Sequence, residues 1–259
     1  MAPSAYHKLQ NKHVLVLGGS SGIGYAVADG AIASGAKVTI SSSSQTRVDA
    51  AVARLRSDYP SQPDTITGFP TDLSNPATVE DDLDTLFKKA ESNHGTIHHV
   101  VLTAASSLVI APVETMSVDA ILSTSHMRLV LPMTLGKVAS RYLPKANTSS
   151  ITITSGSVTK KPAKGWALMS YYGGGLSTLA KALAVDLAPI RANVVRPGYV
   201  ETELWTEEQK ISTAKVVAKS TLTGVPAKGE DVAEAYLWLM KDSNVTGAAA
   251  ETDSGGLLA

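Results

Sequence analysis

The chain has 259 residues, a formal charge of zero from 23 basic and 23 acidic side chains, and no cysteine. A chain of this length can bury the core of one large α/β domain. Balanced charge leaves no basic field to hold a nucleic-acid backbone, and the missing thiols exclude disulfides, cysteine nucleophiles and thiolate metal sites.

In chain order, residues 1–10 lack the apolar core of a signal peptide, and no later apolar run is long enough to span a membrane. A cytoplasmic protein with no membrane partner and no metal is expected. His13-Val14-Leu15-Val16-Leu17 then reads as a buried strand running into Gly18-Gly19-Ser20-Ser21-Gly22-Ile23-Gly24. The glycine spacing is G-x-x-x-G-x-G. Gly18 permits a tight exit from the strand, Gly22 lets backbone approach a pyrophosphate, and Gly24 lets a helix pack against the sheet. Ser20, Ser21 and Ile23 complete a turn that opens a helix covering residues 26–33. The free N–H groups at its start suit an anion. A glycine turn alone can be a plain loop; placed after the first strand of an alternating pattern, it predicts a dinucleotide site.

A second strand, residues 37–40, runs into Ser41-Ser42-Ser43-Ser44 and reaches Arg47 without meeting an acid. NAD sites end this strand with an Asp or Glu on the ribose 2′-hydroxyl. Hydroxyls from Ser41, Ser42 and Ser43, with Arg47 one turn away, fit a 2′-phosphate instead and predict NADP(H). Further on, residues 79–91 read as helix and 99–103 as strand, with His98 and His99 leading into it as structural residues. Residues 134–142 and 176–187 read as helices, and 150–153 and 192–195 as strands. Alternating strands and helices imply parallel pairing through right-handed crossovers. No repeat or linker divides the chain. The expected fold is a single-domain, doubly wound parallel sheet (a Rossmann fold) of about seven strands, with the cofactor across their carboxyl ends. Trp166 and Trp205 flank the expected pocket, either to stack on a flat substrate or to pack the pocket's cover.

Together these motifs resemble the short-chain dehydrogenase/reductase superfamily over essentially the whole chain. Residues 17–24 follow its T-G-x-x-x-G-x-G, with Leu17 in place of Thr. Asp72 and Leu73 stand where the family's Asp contacts adenine. Thr103, Ala104 and Ala105 fall on its N-N-A-G strand end, of which only Ala is kept. Pro197, Gly198, Val200 and Thr202 follow the P-G-x-V-x-T turn that lines the nicotinamide, and Asp253, Gly255 and Gly256 match the C-terminal pattern. The resemblance implies NADP(H), a small-molecule substrate, a lid within the polar stretch 201–223, and a homodimer or homotetramer built partly on helix 176–187.

The family's chemistry rests on Asn, Ser, Tyr and Lys. Anchored on Lys181-Ala182-Leu183-Ala184-Val185-Asp186-Leu187, an ungapped alignment puts Met169 at the Tyr position and Gly173 at the Lys position. Gly156, between Ser155 and Ser157, falls at the Ser position, and Arg128 at the Asn position. A shift of one or two residues offers Ser157, Tyr171 or Tyr172; no shift recovers a Lys. A phenol titrates near 10, so it needs a neighbouring cation to work near neutrality. The candidates are therefore Arg128, Ser157, Met169, Tyr171 and Tyr172. Arg128 leads, because a guanidinium at the nicotinamide can stabilise a developing alkoxide even though it is a poor proton donor. An iminium acceptor needs no proton.

A fungal subgroup of the family is similar, with Arg at the Asn position and a Pro-x-x-Gly-Trp loop that Pro162-Ala163-Lys164-Gly165-Trp166 resembles. It includes reductase/Diels–Alderases of malbrancheamide- and paraherquamide-type indole alkaloid pathways. The resemblance implies NADP(H)-dependent reduction of an iminium or activated carbonyl in alkaloid-type secondary metabolism, together with a cyclisation. The subgroup carries an Asp in the loop where this chain has Ala163, so its substrate does not carry over. Two alternatives stand beside the reductase: a cyclase that holds the cofactor without net redox, and a non-catalytic nucleotide sensor.

Overall fold

Five consecutive buried residues form the first strand, β1 (His13–Leu17). Val14 and Val16 enter one core while Leu15 and Leu17 enter another, as the two-residue period requires of a strand covered on both faces. The computed structural model describes residues 5–259; of the N-terminal segment read above, residues 1–4 lie outside them. The chain continues through α1 (Gly22–Ala33), β2 (Lys37–Ser42), α2 (Gln45–Asp58), β3 (Ile66–Pro70), α3 (Val79–His94) and β4 (Ile97–Leu102). Next come α4 (Val118–Ser125), a π-helical turn (His126–Val130), α5 (Leu131–Tyr142), β5 (Ser150–Thr154) and α6 (Ala167–Asp186). The last elements are β6 (Arg191–Pro197), β7 (Val200–Glu201), α7 (Glu207–Ser220), β8 (Ala227–Lys228), α8 (Gly229–Lys241) and β9 (Ala249–Thr252).

Seven strands pair in the order β3-β2-β1-β4-β5-β6-β9, every pair parallel. The expected doubly wound sheet is thus present. Residues of α1, α2 and α8 cover one face and residues of α3, α5 and α6 the other. The strand order reverses between β1 and β4, so the crevice above their carboxyl ends is the natural ligand position. The short pair β7–β8 lies outside this sheet, on either side of α7 in the chain. No helix of the described residues is long and apolar enough to cross a membrane.

Several elements escaped the sequence reading, α4 and the short strands β7 and β8 among them. Helix α2 buries only Val48, Ala51 and Leu55 on an otherwise polar surface. β3 contains Gly68 and Pro70, residues that depress a strand signal and are tolerated at a sheet edge. α8 and β9 were not read as elements either. Boundaries also differ. His98 and His99 lie inside β4 and do not precede it, Thr103 falls beyond its end, and the helix expected over residues 176–187 begins at Ala167 and stops at Asp186.

The opposite end of the sheet holds a buried polar network. His13 Nε2 meets Thr39 Oγ1 at 2.8 Å, Thr39 Oγ1 meets Thr67 Oγ1 at 3.0 Å, and Thr67 Oγ1 meets His94 Nε2 at 3.1 Å. His13 Nδ1 faces the Gly95 carbonyl at 2.9 Å, and the His13 amide donates to His98 Nδ1 at 3.3 Å. Burial drives the His13 pKa down to about 4, and His94, His98 and His99 are lowered chiefly by the same cause. His99 pairs with Ser150 Oγ at 2.8 Å. Both histidines singled out in the sequence are structural.

Candidate cofactor cleft and active site

The glycine turn is a cradle that only glycine fits. Gly18 has φ +90°, and a Cβ there would sit 2.5 Å from the Ala104 amide nitrogen. A Cβ on Gly24 would meet the Gly18 carbonyl oxygen at 2.2 Å and Thr103 Oγ1 at 2.4 Å. Thr103 holds the turn by donating to the carbonyls of Leu17 and Gly18 at 3.0 and 3.2 Å, and Ala104 N donates to Leu17 O at 2.9 Å. Strand β4 is thereby tied to the turn, which places Thr103, Ala104 and the exposed Ala105 along the cleft. At the start of α1, Ser21 is the N-cap but its side chain caps no amide, and the first turn has no acid. Those free N–H groups fit a pyrophosphate. Ser20 and Ile23 flank the same turn, with Ile23 packed on the core.

At the end of β2, the Ser41 carbonyl receives the amides of Gly18 and Gly19 at 2.8 and 3.1 Å, while its buried Oγ has no partner. Ser42 O accepts from Thr71 N at 2.8 Å. Arg47 donates through Nη2 to Ser43 Oγ at 2.9 Å, so its charge is already folded back over the serine turn. Ser44 caps α2. Beyond β3, the Asp72 carboxylate accepts from Ser74 N at 3.0 Å. Hydrogen bonds from the Ser74 hydroxyl and amide hold it below the usual carboxylate range. The Leu73 side chain is buried, and its carbonyl accepts from His126 Nε2 at 2.7 Å. On the far side, Gly198 N donates to Thr252 O at 2.9 Å, fixing the turn after Pro197. Val200 is buried in β7, and Thr202 lies 3.2 Å from where a Gly22 Cβ would stand. The residues that would hold a nicotinamide dinucleotide thus line one path, and their donors fit it. When bound, that cofactor supplies or accepts hydride at the nicotinamide end.

The positions that the sequence alignment sets against the family's tetrad lie in apolar, tightly packed surroundings. Met169 is buried with Leu168 and Tyr172 in a small apolar cluster, against which Leu108, Val109, Met116, Ile121 and Trp166 pack. Gly173, one turn further along α6, has no room for a side chain: a Cβ would lie 2.7 Å from Thr159 Cγ2 and 3.0 Å from Ser155 Oγ. Ser155 instead donates to the Gly173 carbonyl at 2.9 Å. Ser157 opens a 3-10 turn reaching Thr159. Tyr171 is 70% exposed. The Tyr172 ring is buried with its hydroxyl directed onto α4, and burial raises its pKa.

Arg128 sits in the π-helical turn, a wide-turn geometry found frequently at functional sites. Leu129, beside it, packs 3.5 Å from the Gly175 Cβ position on α6. Arg128 Nη2 donates to the Ser106 carbonyl at 2.8 Å, Nε is buried without a partner, and burial lowers its pKa. Trp205 does not join Trp166: it stacks on Tyr199 at 5.5 Å, at the foot of α7. Two surface cavities each touch one of the residues named above. One of about 370 Å³ includes Asp72 and Asn75, and one of about 570 Å³ includes Gly22 and the foot of α7. Neither reaches Arg128 or Met169.

The sequence reading missed Ser106 and the apolar wall. Leu108 and Val109 were a visible apolar pair, but their loop carried no pattern that placed them against Met169.

A family model described as an SDR-like Rossmann domain matches residues 5–259. Among curated proteins, short-chain dehydrogenase/reductase fsr5 of Gibberella fujikuroi is 39% identical over 257 residues, covering 97% of this chain and 96% of that one. Short-chain dehydrogenase/reductase malC of Malbranchea aurantiaca is 39% identical over 265 residues, covering 100% of both. Among solved structures, the MalC reductase/Diels–Alderase of Malbranchea aurantiaca superposes with a TM-score of 0.91 at 37% identity, covering 98% of this chain and 100% of that one. The chain belongs to the short-chain dehydrogenase/reductase family.

Proposed function

We propose that this family member is an NADP(H)-dependent reductase of an iminium or activated carbonyl intermediate in fungal, alkaloid-type secondary metabolism. One observation carries the reading. Gly18 and Gly24 leave no room for other residues in the turn, the alignment sets Met169 and Gly173 where proton-transferring residues are expected, and Arg128 offers a cation from the π-helical turn. NADPH supplies the hydride. The chain's own residues bind and orient: Gly22, Gly24 and the start of α1 hold the pyrophosphate, while Ser41, Ser43 and Arg47 take the 2′-phosphate. Asp72 and Leu73 border the adenine, and Pro197, Gly198, Val200 and Thr202 border the nicotinamide. Arg128 stabilises negative charge on substrate oxygen. No side chain here is a ready proton donor, which favours an acceptor that is already activated.

Similarity to a protein described as a reductase/Diels–Alderase supports a second activity, ordering a reduced intermediate for cyclisation. The apolar wall of Leu108, Val109, Met169 and Trp166 suits that task, because shape and water exclusion do not require protons. A flat substrate would lie between Trp166 and the Tyr199–Trp205 stack. Exposed Val130 in the π-helical turn, Met133 on α5 and Tyr171 on α6 support a homodimer or homotetramer.

The direct test is a fluorescence titration with NADPH and NADH, followed by NADPH consumption on intermediates from the neighbouring biosynthetic genes. Tight NADPH binding with consumption supports the reductase. Altered product stereochemistry without consumption favours the cyclase alone, and absence of binding to either cofactor removes both.

A further inference from the structure

Two unpartnered polar atoms lie beside the apolar wall on residues that are bonded to each other. Arg128 Nη2 donates to the Ser106 carbonyl, yet Arg128 Nε and the Ser106 hydroxyl are both buried without a hydrogen-bond partner. Buried polar groups are ordinarily satisfied, and a buried guanidinium is costly without a counter-charge. Among the described residues Arg128 makes no ion pair, and desolvation alone accounts for its lowered pKa. The neighbouring loop offers Ala163, not an acid. Ser106 is followed by Leu108 and Val109, which pack with Met169. Polar donors and apolar surface therefore share one segment.

We propose that Ser106 and Arg128 form a substrate subsite that takes an electron-rich oxygen, a carboxylate or a carbonyl, borne on an apolar ring seated against Met169. The subsite deepens the reductase reading by naming the substrate group that these residues hold. The guanidinium supplies directional N–H donors and full charge, and the serine hydroxyl supplies a neutral donor. A substrate that is cationic at its reacting carbon must present a separate oxygen here, because this pair repels positive charge.

Benzoate tests the subsite without turnover, with benzylammonium as a probe of the same shape and opposite charge. Each is titrated calorimetrically into the full chain, both alone and with excess NADP+, using wild type, Arg128→Gln and Ser106→Ala. Benzoate should bind wild type, weaken about tenfold or more in Arg128→Gln and severalfold in Ser106→Ala, and benzylammonium should not bind. Unfolding midpoints without probe confirm that each variant is folded; Ser106→Ala, the smaller change, tests the subsite if Arg128→Gln is not. Absence of benzoate binding up to its solubility limit, unchanged affinity in either folded variant, or equal binding of benzylammonium overturns the proposal. The NADP+ titration is separate: if cofactor fails to bind while benzoate binds through Arg128, the reductase reading falls and the subsite stands.

Discussion

The Tyr172 hydroxyl donates to the Ile121 carbonyl oxygen at 2.8 Å, pinning α6 to α4. That phenol is committed to a structural bond, while Tyr171 beside it is exposed. Tyr172→Phe should therefore cost about 1–2 kcal/mol in urea unfolding, since the carbonyl loses its donor. NADPH-dependent turnover should change by no more than about twofold, as the phenol carries no proton in the reaction. Tyr171→Phe should change neither. A large loss of turnover in either variant, at unchanged stability, would mean that a tyrosine still carries the proton.

Arg128→Ala should lower turnover by about a hundredfold, the usual result of deleting one preorganised donor, while NADP(H) affinity stays within about twofold. Steady-state kinetics and a cofactor titration on the same preparation separate the two effects. A matched loss in cofactor affinity would put Arg128 on the dinucleotide instead.

Arg47 is held over the serine turn by its bond to Ser43. Arg47→Ala should weaken NADPH by about tenfold or more, because it removes a charge-assisted contact to the 2′-phosphate, and should leave NADH unchanged. Fluorescence titration of both cofactors measures the ratio. Wild type with no preference for NADPH would remove the role assigned to Ser41, Ser43 and Arg47.

The clash of a Gly24 Cβ with the Gly18 carbonyl at 2.2 Å involves backbone, which cannot rotate away. Gly24→Ala should push α1 from the turn, abolish measurable NADP(H) binding and lower the unfolding midpoint. Differential scanning fluorimetry with and without NADPH reads both.

The histidine network should make the fold acid-sensitive. Burial keeps the His13 imidazole neutral in the folded state, with its pKa lowered to about 4. The Gly95 carbonyl opposes this for His13 and the Val38 backbone does so for His94, while His94, His98 and Lys37 around His13, and Lys37 and Arg56 around His94, push in the same direction as burial. Unfolded histidine titrates near 6.5. The unfolded chain therefore binds more protons in the interval between these values, so stability is full above about 6.5 and falls as the pH drops toward 4. For His13 alone the loss is on the order of 3 kcal/mol. Urea midpoints across that range measure it, and His13→Gln should flatten the slope. A midpoint independent of pH between 6.5 and 4 would contradict the neutral network.

The parts legible in the sequence were those written contiguously. The turn at Gly18, Gly22 and Gly24, the serines at and beyond the end of β2 and the turn at Pro197 are each encoded within a few residues, so spacing and residue type revealed the first two and the family resemblance the third. The apolar wall is assembled from Leu108, Met116, Ile121 and Met169, on three separate segments, and no local period brings them together. Ser106 was invisible for a related reason: what singles it out is a buried hydroxyl without a partner, a property of packing. The network of His13, Thr39, Thr67 and His94 is likewise scattered over three strands and a helix end. Ordinary strand and helix residues acquire that chemistry only when the sheet is assembled.

The close approach of α6 to Thr159 limits what residue 173 can be. Because a Cβ at Gly173 would meet Thr159 and Ser155, a lysine there would meet an occupied space, and Thr159 is itself held by a 2.9 Å bond to the Gly156 carbonyl. Met169 would have to leave an apolar cluster at the same time. A Tyr–Lys pair at residues 169 and 173 would therefore require both Thr159 and the apolar cluster around Met169 to give way.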